Sequence, residues 1–228
     1  GARTTFDHIT QALMYELLVF DWDGTLMDSE AKIVACLQAA AADMRLELPD
    51  ESQARQVIGL GLHEAVKSLF PAADADTRKG LAEAYRDHFL VRNRARSRLF
   101  PGVVETLESL ADGYLLAVAT GKSRRGLDKE LDESGLRRFF QATRCADEAF
   151  SKPHPRMLED ILDTLGMQAG DTLVIGDTEY DMRMAVNAGS HGLGVNYGVH
   201  EPQRLLESGA LATLEAFTEI PGWLAARG

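Results

Sequence analysis

The sequence predicts an α/β protein, a parallel sheet flanked by helices and interrupted by one helical insertion, and three observations carry that prediction. Three short apolar runs, Leu17 to Phe20, Leu115 to Ala119 and Leu173 to Ile175, are bounded by polar or glycine-containing turns and read as buried strands. Each run ends in a polar cluster, respectively Asp-Trp-Asp-Gly-Thr, Thr-Gly-Lys-Ser and Gly-Asp-Thr-Glu-Tyr-Asp, and a helical pattern follows. Between the first strand and Pro101 that grammar stops, because residues 29–98 hold helical periods and no convincing strand. Strands alternating with helices form right-handed crossovers, and ligands of such sheets gather beyond the carboxyl ends of the strands. The three clusters are therefore expected in one crevice of a Rossmann-like core made of residues 1–28 and 99–228, with 29–98 as an inserted helical cap domain.

Residues 1–13 show no period to interpret. After the first strand, Ser29 to Met44 is Ala-rich with Ile33, Leu37, Ala40 and Ala41 spaced for a helix face. Asp50 to Ile58 and Leu62 to Phe70 supply two shorter helices, with Gly59 and Gly61 as the turn between them. Leu81 to Val91 places Leu81, Ala84, Tyr85 and Phe89 on one side, and Phe100-Pro101-Gly102 marks the return to the sheet. Helices are then expected near Val103 to Leu110, Arg124 to Glu133, Pro155 to Leu165 and Tyr180 to Ala188. Two further strands are expected at Gln141 to Cys145 and Gly192 to Asn196.

With 228 residues, 45% of them hydrophobic, the chain can bury a full core and carry a modest insertion. Lys and Arg total 24 against 35 Asp and Glu, a formal charge of −11. That balance disfavours a surface for nucleic acid or anionic membrane, so an anionic substrate needs locally placed cations. Cys36 and Cys145 are far apart and lack any CxxC or Cys/His spacing, which reads as two buried free thiols. No run of 18 apolar residues occurs, and the first residues lack the pattern of a secretory leader; a soluble cytoplasmic protein, monomer or homodimer, is the expectation.

Asp21 and Asp23 lie two apart at a strand end, so continued strand geometry would point both carboxyls to one side, where a cation or a proton must relieve their repulsion. Gly24 allows the backbone to come close. An Asp-x-Asp-Gly alone is more often a polar turn. Thr120-Gly121-Lys122-Ser123 offers a hydroxyl and backbone amides at a helix start, suited to a phosphate oxygen but equally to a helix cap. Lys152 stands in Ser151-Lys152-Pro153-His154-Pro155, where prolines stiffen the backbone and fix the direction of one ammonium. Asp177 closes a strand and Asp181 sits one helical turn on, both able to face the crevice.

Together these clusters resemble the haloacid dehalogenase superfamily. The pattern DxDGT matches Asp21 to Thr25, the Ser/Thr after the second strand matches Thr120, KPxP matches Lys152 to Pro155 and GDxxxD matches Gly176 to Asp181. The resemblance spans nearly the whole chain, and the insertion is similar to the small α-helical cap of the phosphoglycolate phosphatase-like members. It implies that Asp21 attacks phosphorus while Asp23 protonates the leaving oxygen and later deprotonates water. It also implies Mg²⁺ held by the Asp21 carboxylate, the Asp23 backbone carbonyl and Asp177, with Asp181 in support, and a phosphoryl group bound by Thr120, Lys152, Gly24 and Gly121. The substrate is then a small phosphorylated metabolite, of phosphoglycolate or sugar phosphate type. On the cap and loop side Arg55, Gly59, His63 and Arg124 are the substrate-binding candidates, Arg55 as partner of a second anionic group. A dehalogenase would need neither the acid at 23 nor the acidic pair at 177 and 181. A phosphonate-cleaving enzyme would carry a small residue at 23 and a Schiff-base lysine that Lys32, Lys67 and Lys79 do not replace. A sugar-phosphate mutase is the alternative within the family, and a non-catalytic metabolite-binding protein is the alternative outside it.

Overall fold

The computed structural model describes residues 14–227; the uninterpreted segment 1–13 lies outside the described residues. From the amino end the elements are β1 (Leu17–Phe20), β2 (Met27–Asp28), α1 (Glu30–Asp43), α2 (Glu51–Gln56), α3 (Leu62–Leu69), α4 (Ala75–Asp87) and a π-helical turn, His88–Arg92. There follow β3 (Arg98–Leu99), α5 (Val103–Ala111), β4 (Leu115–Thr120), α6 (Arg124–Ser134), β5 (Ala142–Cys145) and α7 (Arg156–Leu165). The chain closes with β6 (Thr172–Gly176), α8 (Glu179–Asn187), β7 (His191–Val195), α9 (Pro202–Glu207), β8 (Ala210–Leu214) and α10 (Ile220–Ala225).

Six strands form one parallel sheet in the order β5-β4-β1-β6-β7-β8. β1 is central: Phe20 is level with Val118 of β4 on one side and Ile175 of β6 on the other. Its run is apolar throughout because both faces are covered. Leu18 and Phe20 join the cluster that includes Leu107, Leu127 and Phe217, whereas Leu17 and Val19 join Met157, Ile161 and Met184. Strand order reverses at β1, so the carboxyl ends of β1, β4 and β6 open on a topological switch point.

The chain leaves and re-enters the sheet through an antiparallel stem in which Met27 pairs with Leu99 and Asp28 with Arg98. Arg98, expected at the end of the insertion, thus pairs with Asp28, just beyond the DxDGT loop. The helices between the two stem strands pack around Ile33, Leu37, Val57, Ile58 and Phe89. One element differs from expectation. α4 begins at Ala75, where the Asp74 side chain accepts the Thr77 amide at 2.8 Å, and stops at Asp87 in favour of the π-helical turn. Residues 210–214, outside the elements expected from sequence, form β8 by pairing with β7. Both cysteines are free and buried, as expected. Among the described residues no helix is long and apolar enough to cross a membrane.

Candidate active site

Each central strand delivers one candidate side chain as it ends. β1 gives way to Asp21 at its carboxyl end, β4 finishes on Thr120, and β6 is followed directly by Asp177. Beyond β1 the Trp22 carbonyl accepts the amides of Thr25, Leu26 and Met27, folding the chain into a tight loop. Gly24 sits in that loop at φ +83, and a Cβ there would overlap the Asp177 carboxylate. Its glycine is therefore explained by the approach of Asp177 as much as by any ligand. Asp177 is fixed by Thr25 Oγ1, which donates to Oδ1 at 3.0 Å, and by the Val199 amide, which donates to Oδ2 at 2.9 Å. At the start of α8 the Thr178 amide and hydroxyl both donate to Asp181 Oδ2, at 3.1 and 2.8 Å. This capping box turns the other Asp181 oxygen inward.

That oxygen meets Lys152. The ammonium donates to Asp181 Oδ1 at 2.6 Å and to Asp21 Oδ1 at 3.0 Å, and all three side chains are out of contact with water. Carboxylate oxygens of Asp21, Asp177 and Asp181 lie within 4.8 Å of one another. Three buried carboxylates thus face one ammonium, an excess of two negative charges. Burial pushes the Asp177 carboxyl up to about 6, with Asp181 adding to the rise. Burial and then Asp181 drive Asp21 well above the usual carboxylate range despite Lys152. Lys152 itself is raised, because Asp181 and Asp21 together outweigh the effect of burial. Asp21 Oδ2 is buried without a hydrogen-bond partner. Excess negative charge and oxygen-only donors fit a hard divalent cation.

Asp23 stands apart from this acidic group. The strand geometry that would have paired it with Asp21 ends at Phe20, and its carboxylate turns to Ser29 Oγ, which donates to Oδ1 at 2.5 Å, and to Lys122 Nζ at 3.3 Å. Lys122 also contacts Glu130, which accepts the Trp22 indole N–H at 2.6 Å. No role was assigned to Lys122 or Glu130 from sequence. A signal did exist for Glu130: an acid lies within the buried stripe of α6, beside Leu127 and Leu131.

Asp21, Asp23, Thr120, Gly121 and Lys122 line the floor of a cavity of about 360 Å³. Its roof comes from the insertion, with Leu60, His63, Tyr85 and Phe89 among the lining residues. The two halves touch: the Gly61 amide donates to Ser151 Oγ at 2.8 Å, and the Gly59 and Leu60 carbonyls rest so closely on Gly121 that a Cβ there would strike them. Of the four cap and loop candidates, Gly59 and His63 reach the cavity. Arg55 does not line it and instead pairs with Glu30. Arg124 is likewise spent elsewhere, bonding to Thr143 Oγ1 at 2.7 Å and Glu148 at 2.7 Å, so neither guanidinium is positioned for a substrate anion.

A doubly covered parallel sheet with carboxylates, a buried lysine and a threonine hydroxyl at its switch point defines a class of phosphoryl-transfer folds. Residues 18–195 match the family model of the haloacid dehalogenase-like hydrolases. The chain is 34% identical over 216 residues to the probable phosphatase IndB of Dickeya dadantii, covering 92% of this chain and 93% of that protein. It is 31% identical over 199 residues to the phosphoglycolate phosphatase of Agrobacterium fabrum, covering 83% and 84%. A predicted phosphatase from Clostridium acetobutylicum superposes with a TM-score of 0.85 at 25% identity, over 93% of this chain and 99% of that one. The chain belongs to the haloacid dehalogenase-like hydrolase family. It is an enzyme of that family's phosphomonoesterase kind.

Proposed function

We propose that the chain hydrolyses a small phosphomonoester with Mg²⁺ through a phosphorylated Asp21. One observation carries the reading: Asp21 Oδ2 is a buried, unpartnered carboxylate oxygen on a side chain lining the cavity, while the other oxygen is tied to Lys152 and the Trp22 amide. A nucleophile needs a free lone pair and a fixed direction, and this carboxylate has both. Asp21 forms an O–P bond as the ester P–O bond breaks, and Asp23 gives its proton to the departing alcohol oxygen. Water then attacks the same phosphorus, its proton passes to Asp23, and cleavage of the P–O(Asp21) bond releases inorganic phosphate. Lys152 and Thr120 bind the phosphoryl oxygens; Thr120 Oγ1 accepts the Lys122 amide at 3.1 Å, which leaves its hydrogen to donate. The Asp21 carboxylate, the Asp23 carbonyl and Asp177, with Asp181 in support, would hold Mg²⁺, which would supply positive charge against the transferring phosphoryl.

Residues 29–98 act as a cap whose contact with Gly121 and Ser151 closes the site against bulk water. The name of the Agrobacterium fabrum relative supports a substrate of phosphoglycolate type, and the cavity volume suits a small metabolite, a sugar phosphate included. With Arg55 and Arg124 occupied, Arg86, with the His63 imidazole lining the same cavity, is the cap-side cation left to meet a second anionic group. The test is rapid quenching with a metabolite phosphate and Mg²⁺, followed by mass mapping. Phosphate on the peptide containing Asp21, and its loss with turnover in Asp21→Asn, are expected; full turnover of Asp21→Asn sinks the proposal. Dependence on a bisphosphate activator would identify a mutase instead.

A further inference from the structure

Asp23 is surrounded by groups that phosphoryl transfer alone does not call for. Lys122 Nζ lies 3.3 Å from Asp23 Oδ2, 3.4 Å from Glu130 Oε2 and 4.3 Å from the centroid of the Phe89 ring. The Trp22 indole N–H donates to the same Glu130 oxygen at 2.6 Å. The Lys122, Asp23 and Glu130 side chains are 7%, 10% and 9% exposed. An ammonium has three N–H groups. Two carboxylates and an aromatic face surround this one, so its charge is already engaged by Asp23, Glu130 and Phe89.

Glu130 is the member that needs explaining. It stands on the buried face of α6 beside Leu127 and Leu131, where a charge is costly unless paired. Satisfying the Trp22 N–H requires only a neutral acceptor. The charge on Glu130 is accounted for by the ammonium it shares with Asp23. A lysine with one carboxylate partner could swing on its four-carbon stem and take that partner with it, whereas two opposed partners and the Phe89 ring fix its place.

We propose that Glu130 is a positioning residue that anchors Lys122, and that Lys122 together with Ser29 holds the Asp23 carboxyl in the direction of the departing ester oxygen. The proposal rests on the acid role for Asp23 set out above. Proton delivery requires hydrogen-bond reach to the oxygen as its bond to phosphorus breaks, so a misdirected carboxyl penalises esters of poor leaving groups and spares those whose alcohol leaves unprotonated.

Glu130→Gln keeps an acceptor for the indole and nearly the same shape while removing the charge. Single-turnover cleavage is measured on an alkyl phosphate and on 2,4-dinitrophenyl phosphate, both with Mg²⁺. The expected result is a loss of about 10-fold on the alkyl ester, part of the ~10²- to 10⁴-fold a general acid supplies, and less than about 2-fold on the activated ester. Equal losses on both esters, or no loss on either, would overturn the proposal. Should Glu130→Gln fold poorly, the pair Lys122→Gln with Glu130→Gln, which removes both opposed charges together, gives the same split if the brace acts as proposed and equal losses if it does not. Asp23→Asn separates the two levels. A leaving-group split in Asp23→Asn without one in Glu130→Gln refutes the brace alone, and no split in either refutes the acid role itself.

Discussion

Lys152 and Lys122 are both buried ammonium groups set between two carboxylates, yet their surroundings differ in what they leave over. Lys152 serves Asp21 and Asp181 inside a group of three carboxylates, whereas Lys122 stands between two, Asp23 and Glu130, beside an aromatic ring and so leaves less negative charge over. Gly24 lies against the first group. An alanine there must both adopt φ +83 and displace the Asp177 carboxylate, so Gly24→Ala is expected to lower kcat by at least ~10²-fold and to weaken metal affinity in a titration, a scale typical of misplaced reacting groups. Unchanged metal affinity would count against this account of the glycine. The two cysteines make a contrasting residue-scale case. Burial pushes the Cys145 thiol up to about 12 and raises Cys36, so neither forms thiolate near neutrality. Alkylation of the native enzyme followed by mass spectrometry should leave both unmodified, and denaturation should expose both; fast labelling of native Cys145 would contradict the burial.

At the scale of elements, the strands that bear the candidate residues were legible because continuous apolar runs are what a doubly covered parallel sheet demands. Asp21, Thr120 and Asp177 follow from those strand ends, and Lys152 from its rigid loop. What the sequence hid depended on tertiary pairing. β8 is a strand only because β7 offers it an edge, and the two-residue stem strands are too short to show a period. Arg55 and Arg124 were candidates by charge and position along the chain, but periodicity does not say that Glu30 and Glu148 intercept them. Glu130 escaped notice for the opposite reason: an acid in an apolar stripe looks like an error of register until Lys122 and Trp22 are seen beside it. α6 itself depends on a local device. Ser123 caps it by accepting the Gly126 amide at 3.1 Å, so Ser123→Ala should cost about 1 kcal/mol in urea unfolding. A loss below about 0.3 kcal/mol would mean that the sheet, not the cap, fixes the start of α6.

On the scale of the whole molecule, the acidic group is expected to couple stability to pH and to a divalent cation. The Asp177 carboxyl keeps its proton to about pH 6 in the folded protein, while in the unfolded chain it releases it near pH ~4. Between those values the folded state binds more protons, so metal-free protein is expected to lose stability as pH rises through that window. A divalent cation reverses the sign of the effect, because it binds the ionised carboxylates and only the folded chain gathers them. Mg²⁺ should therefore raise Tm more at about pH 8 than at about pH 5, where protons compete for the same oxygens, and at a concentration 100 times Kd the gain is about 2.7 kcal/mol. Thermal unfolding in EDTA and in Mg²⁺ across that range measures both slopes. A Mg²⁺ gain that is the same at both pH values would show that the ion binds away from Asp21, Asp177 and Asp181, and the acidic group would then be an electrostatic cost of the fold with no ion to offset it.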